Sequence, residues 1–193
     1  MNRDKITGVI LAGGLARRMG HIDKGLLQFR GKSMIAHVIE RLAPQVDSLM
    51  LNANQNHSAY MALGYPVISD AVSNFAGPLA GLHAALSACN TPLLVSAPCD
   101  SPFLPADLVA MLRTGLDRDQ AQIAVPLCGG RRQLVSALCR REVLDSLTRY
   151  LDAGGHKVDS WYATLKVTEV PFADQADFAN INTLEELERL EST

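Results

Sequence analysis

Residues 6–27 read ITGVILAGGLARRMGHIDKGLL, and this stretch indicates both the fold class and the kind of ligand that the chain binds. The run Ile6–Ala12 is apolar and rich in β-branched side chains, which is typical of a short buried strand. The pair Gly13-Gly14 ends the run, and Arg18 and Lys24 follow in a polar segment. Glycines let backbone N–H groups approach an anion, and cationic side chains neutralise its charge. The stretch therefore predicts a phosphate-binding loop directly after the first strand.

Two common phosphate-binding motifs do not match this loop. The dinucleotide fingerprint G-x-G-x-x-G does not fit, because Gly13 and Gly14 are adjacent. The triplet Gly31-Lys32-Ser33 resembles the end of a Walker A loop, but Leu26 stands where that motif needs its first glycine. We therefore interpret the triplet as a turn before a helix, with Ser33 as the N-cap residue.

Length and charge limit the classes of protein to consider. The chain has 193 residues and a formal net charge of −2. We expect residues 1–193 to form one domain, and the near-neutral charge gives no electrostatic footprint for nucleic acid. No apolar run reaches the ~18 residues of a membrane span, and the N-terminal residues lack the apolar region of a signal peptide. We expect a cytoplasmic protein without a membrane partner.

The four cysteines, Cys89, Cys99, Cys128 and Cys139, form no C-x-x-C pair, and no histidine cluster has zinc spacing. We interpret them as reduced thiols that mostly fill the core. Cys99 precedes an acidic residue, Asp100, so a reactive role for this thiol remains the alternative.

Apolar strands alternate with helical segments in the first half of the chain. The predicted strands are Ile6–Ala12, Ser48–Asn52, Pro66–Ser69 and Pro92–Pro98, and the predicted helices are Ser33–Leu42, His57–Leu63, Leu79–Ala88 and Pro105–Leu112. This alternation indicates an α/β fold, a three-layer Rossmann-like α/β/α sandwich whose sheet is mostly parallel.

The second half of the chain is less regular. Strands are predicted at Gln122–Leu127, Leu134–Cys139 and Lys166–Phe172, and helices at Glu142–Leu151 and Lys157–Thr164. A glycine-arginine turn separates the first two of these strands, which indicates either a hairpin or an excursion that makes the sheet mixed. Thr183 and Glu186 have the spacing of a capping box, which predicts a last helix through Leu190.

Ligand-type residues follow each of the first four predicted strands. They are Gly13-Gly14, Asn52 with Asn54, Asp70 and Asp100. In open α/β sheets, ligands bind beyond the carboxyl ends of the strands, so these residues are the candidates for one site. Asn52 and Asp70 have side chains that can bind sugar hydroxyls or a base edge, and Gly81 ends a loop that a ligand can approach closely.

Asp100 is the candidate metal ligand. A carboxylate at the end of a buried strand is poorly solvated and needs a partner, and Mg²⁺ is a suitable one where phosphates also bind. Mg²⁺ usually takes one or two carboxylates, so a single aspartate is sufficient. The alternative is that Asp100 caps the following helix.

The ordered set of motifs resembles the nucleotidyltransferases with a glycosyltransferase-A-like fold, and within them the family of molybdenum cofactor guanylyltransferases. The motifs that carry the resemblance are LAGG-x-A-R-R-M-G-x-x-DK (Leu11 to Lys24), Asn52-Ala53-Asn54, Ile68-Ser69-Asp70, Gly77-Pro78-Leu79-Ala80-Gly81, Pro98-Cys99-Asp100-Ser101-Pro102 and Asn180-Ile181-Asn182-Thr183. The set spans nearly the whole chain. The LAGG loop alone is typical of the superfamily, whereas the ordered set of motifs is much more specific.

The resemblance implies a nucleotide-diphospho-sugar transferase-like fold and a reaction that joins GMP from GTP to molybdenum-bound molybdopterin, with Mg²⁺ as the cofactor. Together with the glycine loops, it gives the nucleotide-binding residues Leu11, Ala12, Gly13, Gly14, Lys24, Asn52, Asp70, Gly81 and Asp100. The expected catalytic residues are Arg18, Lys24 and Asp100, the last also as the magnesium ligand.

The second half of the chain is then expected to bind the pterin. Asn180 and Asn182 are the first candidates, and Arg131 and Arg132 are further ones. Molybdopterin and GTP are the implied partners, with other proteins of cofactor biosynthesis and molybdoenzyme maturation chaperones as additional ones.

Two alternatives remain open from the sequence. One is a molybdopterin cytidylyltransferase or another sugar-phosphate nucleotidyltransferase on the same fold, whose members more often have LAAG where this chain has Leu11-Ala12-Gly13-Gly14. The other is a nucleotide-binding module without catalytic activity, which the clustering of Arg18, Lys24 and Asp100 disfavours.

Overall fold

A mixed β-sheet of eight strands runs through the part of the chain that this computed structural model describes, which comprises residues 4–13, 23–70 and 77–191. The strands are β1 (Ile6–Leu11), β2 (Gln28–Phe29), β3 (Lys32–Ser33), β4 (Ser48–Asn52), β5 (Val67–Ile68), β6 (Leu93–Pro98), β7 (Ile123–Cys128), β8 (Arg131–Arg132), β9 (Leu138–Arg140) and β10 (Val167–Phe172). Strands β2 and β3 form a separate hairpin. Gly14 and Arg18 lie outside the described residues.

Seven α-helices connect or follow these strands within the same ranges. They are α1 (Met34–Leu42), α2 (His57–Met61), α3 (Pro78–Ala88), α4 (Leu108–Arg118), α5 (Leu144–Asp152), α6 (Val158–Tyr162) and α7 (Leu184–Glu191). None of the described helices has the length and hydropathy that a membrane crossing requires.

The strand order is β10-β7-β9-β6-β1-β4-β5, with β8 paired to β7. Strands β6, β1, β4 and β5 are parallel to one another, and β10 is parallel to β7. Strand β9 is antiparallel to both of its neighbours, β6 and β7, and β8 is antiparallel to β7. The sheet is therefore mixed but mostly parallel, as the sequence predicts, and its parallel strands end at one edge.

Helices cover both faces of the sheet. Ile6 and Ile10 of β1 are buried in the same cluster as the apolar residues of α1 and α4. Val9, which points to the opposite face, is buried with the apolar residues of α3, α5 and α6. Side chains alternate between the faces of a strand, so both sides of β1 are core. The predicted three-layer α/β/α arrangement is confirmed.

Most predicted elements lie within two residues of the observed ones, but two predictions were wrong. The helix placed at Pro105–Leu112 is α4, which begins at Leu108 and continues to Arg118. It begins later because the Leu108 N–H bonds to the Pro105 carbonyl in a preceding turn, at 3.3 Å. It ends later because Leu112 and Leu116 remain on the core face.

The strand predicted at Leu134–Cys139 is the second error, since β9 covers only Leu138–Arg140. Residues before it lie beside β6 in an irregular conformation. The Ser96 N–H donates to the Ala137 carbonyl at 2.9 Å, and the Ser96 hydroxyl donates to the Val135 carbonyl at 2.6 Å.

A third, smaller cluster fixes the C-terminal helix. Phe29, Met34, Ile181 and Leu187 are buried against one another, which packs α7 onto the β2–β3 hairpin and the start of α1. Thr183 Oγ1 accepts the N–H of Glu186 at 3.1 Å, as the predicted capping box requires. The Glu186 carboxylate accepts the N–H of Asn182 at 2.7 Å, one residue before the usual position. Ser33 is the N-cap of α1, although its side chain makes no capping hydrogen bond.

Candidate active site

Three polar residues from distant parts of the chain meet where β6 ends. Lys24 Nζ donates to Asp100 Oδ2 at 3.2 Å and to Asn182 Oδ1 at 2.9 Å. The Lys24 and Asp100 side chains are only 23% and 14% exposed, so water screens this ion pair weakly. The Ile181 N–H donates to the Asp100 carbonyl at 2.9 Å, which holds the Asn180–Asn182 segment against this strand end.

Asp100 does not cap a helix, which was its alternative interpretation. Its carboxylate bonds to Lys24, and the next helix, α4, has Asp107 at its N-cap. The structure places Asp100 at the end of a buried strand with a poorly solvated side chain, as the sequence predicts. Its partner among the described residues is the Lys24 ammonium, whereas the sequence predicted Mg²⁺.

The oxygens that surround this ammonium are chemically suited to a divalent cation. A carboxylate oxygen of Asp100 and an amide oxygen of Asn182 converge on one positive centre, and both are ligand types that Mg²⁺ accepts. The described residues contain no group of three His, Cys, Asp or Glu side chains that could hold a metal. The donor set therefore fits an ion that completes its coordination with phosphate oxygens and water.

The segment that carries Lys24 is fixed by its neighbour, Asp23. Tyr60 donates its hydroxyl proton to Asp23 Oδ1 at 2.5 Å, and Asn56 donates to Oδ2 at 3.0 Å. The Gly25 N–H also donates to Oδ1, at 3.2 Å. Burial, and next the hydrogen bond to Asp23, raise the pKa of Tyr60 far above its usual value, so this hydroxyl remains a donor.

The sequence alone did not predict this Asp23–Tyr60 contact. The position of Asp23 next to Lys24 was a signal in the sequence that Asp23 helps to fix this segment. Tyr60, in a short helix 37 residues further along the chain, gave none.

A second group of polar side chains lies after β4 and β5. Asn52 Nδ2 donates to Asp70 Oδ1 at 2.9 Å, and Asn54 Nδ2 donates to Asp70 Oδ2 at 2.8 Å. The Asp70 N–H in turn donates to Asn54 Oδ1 at 2.9 Å. The structure thus brings together the residues that the sequence placed at the ends of these two strands, as a connected hydrogen-bond network.

Two of the candidate glycines are needed for the position of Asn52. Its side chain is buried, and a Cβ atom built on Gly81 of α3 would collide with its Oδ1 atom. A Cβ atom on Gly13 would lie 2.8 Å from Asn54 Nδ2 and 3.2 Å from Asn52 Oδ1. Ala12 also contacts this strand, because its N–H donates to the Asn52 carbonyl at 2.8 Å. The residues after β1, β4 and β5 and the start of α3 therefore border one site.

Cys99 lies between β1 and the Asp100 cluster but does not have the properties of a nucleophile. Its N–H donates to the Leu11 carbonyl at 3.2 Å, and its side chain is buried. Burial, and next the negative charge of Asp100, raise the pKa of the Cys99 thiol far above its usual value. The thiol is neutral near pH 7, which supports the interpretation of Cys99 as a core residue.

The two asparagines expected at the pterin site have different surroundings. Asn182 contacts Lys24, so it belongs to the cluster at Asp100. Asn180 accepts a short hydrogen bond from the Ser101 hydroxyl, next to Asp100 in the chain. Both asparagines are exposed at the edge where the parallel strands end.

Comparison with known proteins relates most of this chain to one family. A family model described as the MobA-like NTP transferase domain matches residues 8–168. A molybdenum cofactor guanylyltransferase from Cupriavidus taiwanensis is 52% identical over 190 residues, which are 96% of each protein. One with the same name from Shewanella sp. strain ANA-3 is 45% identical over 187 residues, 96% of this chain and 95% of the relative.

Solved structures share the fold at lower sequence identity. The molybdopterin-guanine dinucleotide biosynthesis protein A from Archaeoglobus fulgidus superposes with a TM-score of 0.78 at 24% identity, covering 96% of this chain and 97% of the other. A CMP:2-keto-3-deoxy-manno-octonic acid synthetase complexed with CTP has a TM-score of 0.76 at 16% identity, covering 97% of both chains. These likenesses support the predicted nucleotide-diphospho-sugar transferase-like architecture.

Proposed function

The chain belongs to the family of MobA-like NTP transferase domains, and from that premise we propose that it transfers GMP from GTP to molybdenum-bound molybdopterin. The products are molybdopterin guanine dinucleotide and pyrophosphate. Relatives that match nearly the whole chain at about half identity carry the name molybdenum cofactor guanylyltransferase, which supports this choice of donor and acceptor. The same proposal places the reaction in the cytoplasm.

The observation that carries the proposal is the convergence of Lys24, Asp100 and Asn182 at the end of β6, the strand that pairs with β1. A single cation-binding carboxylate and a flexible ammonium, together with the glycine loop predicted after β1, suit the binding of a triphosphate. This arrangement supports phosphoryl-group chemistry driven by charge.

In the proposed reaction, the terminal phosphate of molybdopterin attacks the α-phosphorus of GTP in line, and pyrophosphate leaves. A phosphate monoester has a second pKa of about 6, so the attacking group is already mostly dianionic at neutral pH and needs no general base. The main obstacle is the repulsion between two anions. The chain would offset it with Lys24, Arg18 and the N–H groups of Gly13 and Gly14.

Asp100 would hold Mg²⁺, with Asn182 Oδ1 as a neighbouring oxygen donor. When bound, the ion supplies Lewis-acid stabilisation of the charge on the phosphates and the leaving pyrophosphate. Lys24 pairs with the Asp100 carboxylate in the structure, so its ammonium would exchange Asp100 for a phosphate oxygen as the nucleotide enters. Lys24 thus has a counter-ion both before and after nucleotide binding.

The network of Asn52, Asn54 and Asp70 would bind the nucleoside part of GTP. Its carboxamide and carboxylate groups are fixed by one another and by Gly13 and Gly81, so they are preorganised. Leu11 and Ala12 would line the same side of the site from β1. Asn180 and the second half of the chain would contact the acceptor.

A nucleotide-preference assay tests the proposal. Purified protein is incubated with Mg²⁺, molybdenum-bound molybdopterin and either GTP or CTP, and pyrophosphate release is followed. We expect at least tenfold higher kcat/KM with GTP, and loss of turnover when a chelator removes the metal. The Asp100→Ala variant, checked for its fold by circular dichroism, should bind GTP weakly and retain little metal-dependent turnover.

Other outcomes of this assay point to the two alternatives. Faster turnover with CTP would assign the chain to the cytidylyltransferases. Nucleotide binding without pyrophosphate release, for every nucleotide and with the acceptor present, would indicate a binding module without catalytic activity.

A further inference from the structure

A cavity lies at the carboxyl end of β7, outside the Lys24–Asp100 cluster. It has a volume of about 470 Å³ and is lined by Cys128, Gly129, Arg131, Gln133 and Gln175. That volume is within the range of small-molecule sites. We refer to these five residues as the β7 pocket.

The β7 pocket and the Asp100 cluster lie at the same edge of the sheet. Leu94 of β6 and Ile123 of β7 both pair with Cys139 of β9. These two residues therefore occupy equivalent positions along the two parallel strands. Counting along both strands from that pairing puts Cys128 level with Cys99. Two strand spacings separate them, which corresponds to about 10 Å.

Three polar side chains of the β7 pocket have no partner among the described residues. The side chains of Arg131, Gln133 and Gln175 make no hydrogen bond or ion pair there, although the Gln133 N–H donates to the Pro126 carbonyl at 2.9 Å. One guanidinium group and two carboxamides therefore face the same cavity. They provide planar hydrogen-bond donors and acceptors that no other described group of the protein occupies.

The adjacent arginine, Arg132, differs from Arg131 in this respect. Arg132 Nε donates to Glu169 Oε1 of β10 at 2.6 Å, so its charge is already neutralised. Successive residues of a strand point to opposite faces, which directs Arg131 into the pocket and Arg132 away from it. Of the two arginines that the sequence proposes for pterin binding, only Arg131 is free to bind a ligand.

The turn between β7 and β8 keeps the pocket in this shape. Gly129 and Gly130 have φ values of 55° and 73°, which L-residues rarely adopt. A Cβ atom on Gly129 would also collide with the Gln175 carboxamide. The glycine pair therefore allows both the tight reversal and the approach of Gln175 over it.

We propose that the β7 pocket binds the pterin ring of the acceptor, an inference that rests on the proposed function. The reacting phosphate of the acceptor would lie at the Lys24–Asp100 cluster, so its heterocycle must extend to a neighbouring surface at the same edge. A pterin has a planar edge of amide-type donors and acceptors, which two carboxamides and a guanidinium complement. The segment from Gln175, which lines the β7 pocket, to Asn182, which contacts Lys24, connects the pocket to the Lys24–Asp100 cluster.

The test compares Arg131→Gln and Gln175→Ala with Arg132→Gln, a matched control on the same strand. The first probe is 6-hydroxymethylpterin, a fluorescent pterin without phosphate or metal, titrated by fluorescence quenching. The second is the KM for molybdenum-bound molybdopterin. We expect both test variants to raise the pterin Kd and the acceptor KM about tenfold or more, with the GTP KM within twofold of wild type. Arg132→Gln should leave the pterin Kd and the acceptor KM within twofold of their wild-type values.

The proposal is overturned if neither test variant changes the pterin Kd, or if Arg132→Gln weakens pterin binding as much as Arg131→Gln. Its failure can be distinguished from failure of the proposed function. Wild-type protein that transfers no GMP but binds the pterin through Arg131 would contradict only the function. Normal GMP transfer with an unchanged acceptor KM in both test variants would contradict only the pocket.

Discussion

In the proposed reaction, Lys24 is the residue on which the chemistry depends most directly. Its ammonium is mostly shielded from water and is held by oxygens of Asp100 and Asn182. A flexible ammonium on a four-carbon chain can exchange these oxygens for those of a phosphate without a change in the backbone. In the proposed reaction, this ammonium lies where the substrate brings negative charge.

The Lys24→Ala variant should lose most of its activity while remaining folded. Removal of one electrostatic contact to the transition state typically costs about 2.7–4 kcal/mol, so we expect kcat/KM to fall by roughly 10²–10³. Lys32→Ala is the control, because Lys32 is exposed and pairs with Glu40 on α1. Steady-state kinetics with GTP and the acceptor measure both variants. An unchanged kcat/KM in Lys24→Ala would remove this lysine from the mechanism.

The residues of the site were largely predictable from the sequence where they follow strands. Lys24, Asp100, Asn52 and Asp70 stand after apolar runs or in the glycine loop, and parallel strands bring such positions to one edge. Tyr60 was not predictable in this way. Its hydroxyl meets Asp23 only because α2 folds back onto the segment that carries Lys24.

At the scale of elements, two short segments support each other at the entrance of the site. The turn of 3₁₀ helix Lys24–Leu26 begins at Asp23, whose carboxylate accepts the Gly25 N–H. The same carboxylate is bound by Tyr60 and by Asn56 at the start of α2. Gly25 has no Cβ, and one added there would lie 2.5 Å from the Tyr60 hydroxyl. We infer that α2 fixes the direction from which Lys24 enters the site.

Tyr60→Phe should therefore weaken catalysis through the position of Lys24. The change removes a hydrogen bond to a charged group, which is worth about 1.5–3 kcal/mol, and leaves the Asp23 carboxylate with fewer donors. We expect a kcat/KM lower by about three- to tenfold at a temperature well below the unfolding midpoint.

Tyr65→Phe is the control for this prediction, because Tyr65 packs against the same core cluster and no hydrogen bond of its hydroxyl occurs in the described residues. Kinetics and thermal unfolding are measured on both variants. Equal kcat/KM in Tyr60→Phe and wild type would show that the Asp23 contact has no influence on Lys24.

Elements were predicted well where their ends carry a chemical signal and less well elsewhere. The capping residue Thr183 marks the start of α7, and both the sequence and the structure begin the helix there. Pro105 suggested an early start for α4, yet the proline lies in a turn before the helix. The bounds of β9 depend on pairing with β6 and β7, which a local pattern does not contain.

At the scale of the molecule, the two halves of the chain share the site more than the sequence suggested. We expected the first half to bind the nucleotide and the second half to bind the pterin. Asn182 and Lys24 are 158 residues apart, yet they are hydrogen-bonded in the cluster at Asp100. The small cluster of Phe29, Met34, Ile181 and Leu187 accounts for this contact, because it fixes α7 against the first half. Such a contact between the two ends of a chain leaves no local signal in the sequence.

The buried thiols on either side of β6 make the whole fold sensitive to alkaline pH. Burial raises the pKa of Cys139 to about 12, and burial also raises the pKa of Cys99. In the unfolded chain a thiol ionises near pH 8.5. Above that pH the unfolded state binds fewer protons than the folded state, so the free energy of unfolding falls as pH rises towards the folded-state pKa values. Each thiol contributes a loss of about 1.4 kcal/mol per pH unit in this window.

Urea unfolding at pH 8 and pH 10.5 tests this sensitivity, with Cys139→Ala as the comparison. Wild-type protein should lose stability between the two pH values, and the variant should lose about 2–3 kcal/mol less because it has one fewer thiol to ionise on unfolding. The variant starts from a lower stability at pH 8, since a buried side chain has been shortened. The decisive quantity is therefore the change with pH, measured for each protein against itself. An equal loss in both proteins would mean that Cys139 is accessible to ionisation in the folded state, and that the sheet at β9 is less tightly closed than its burial indicates.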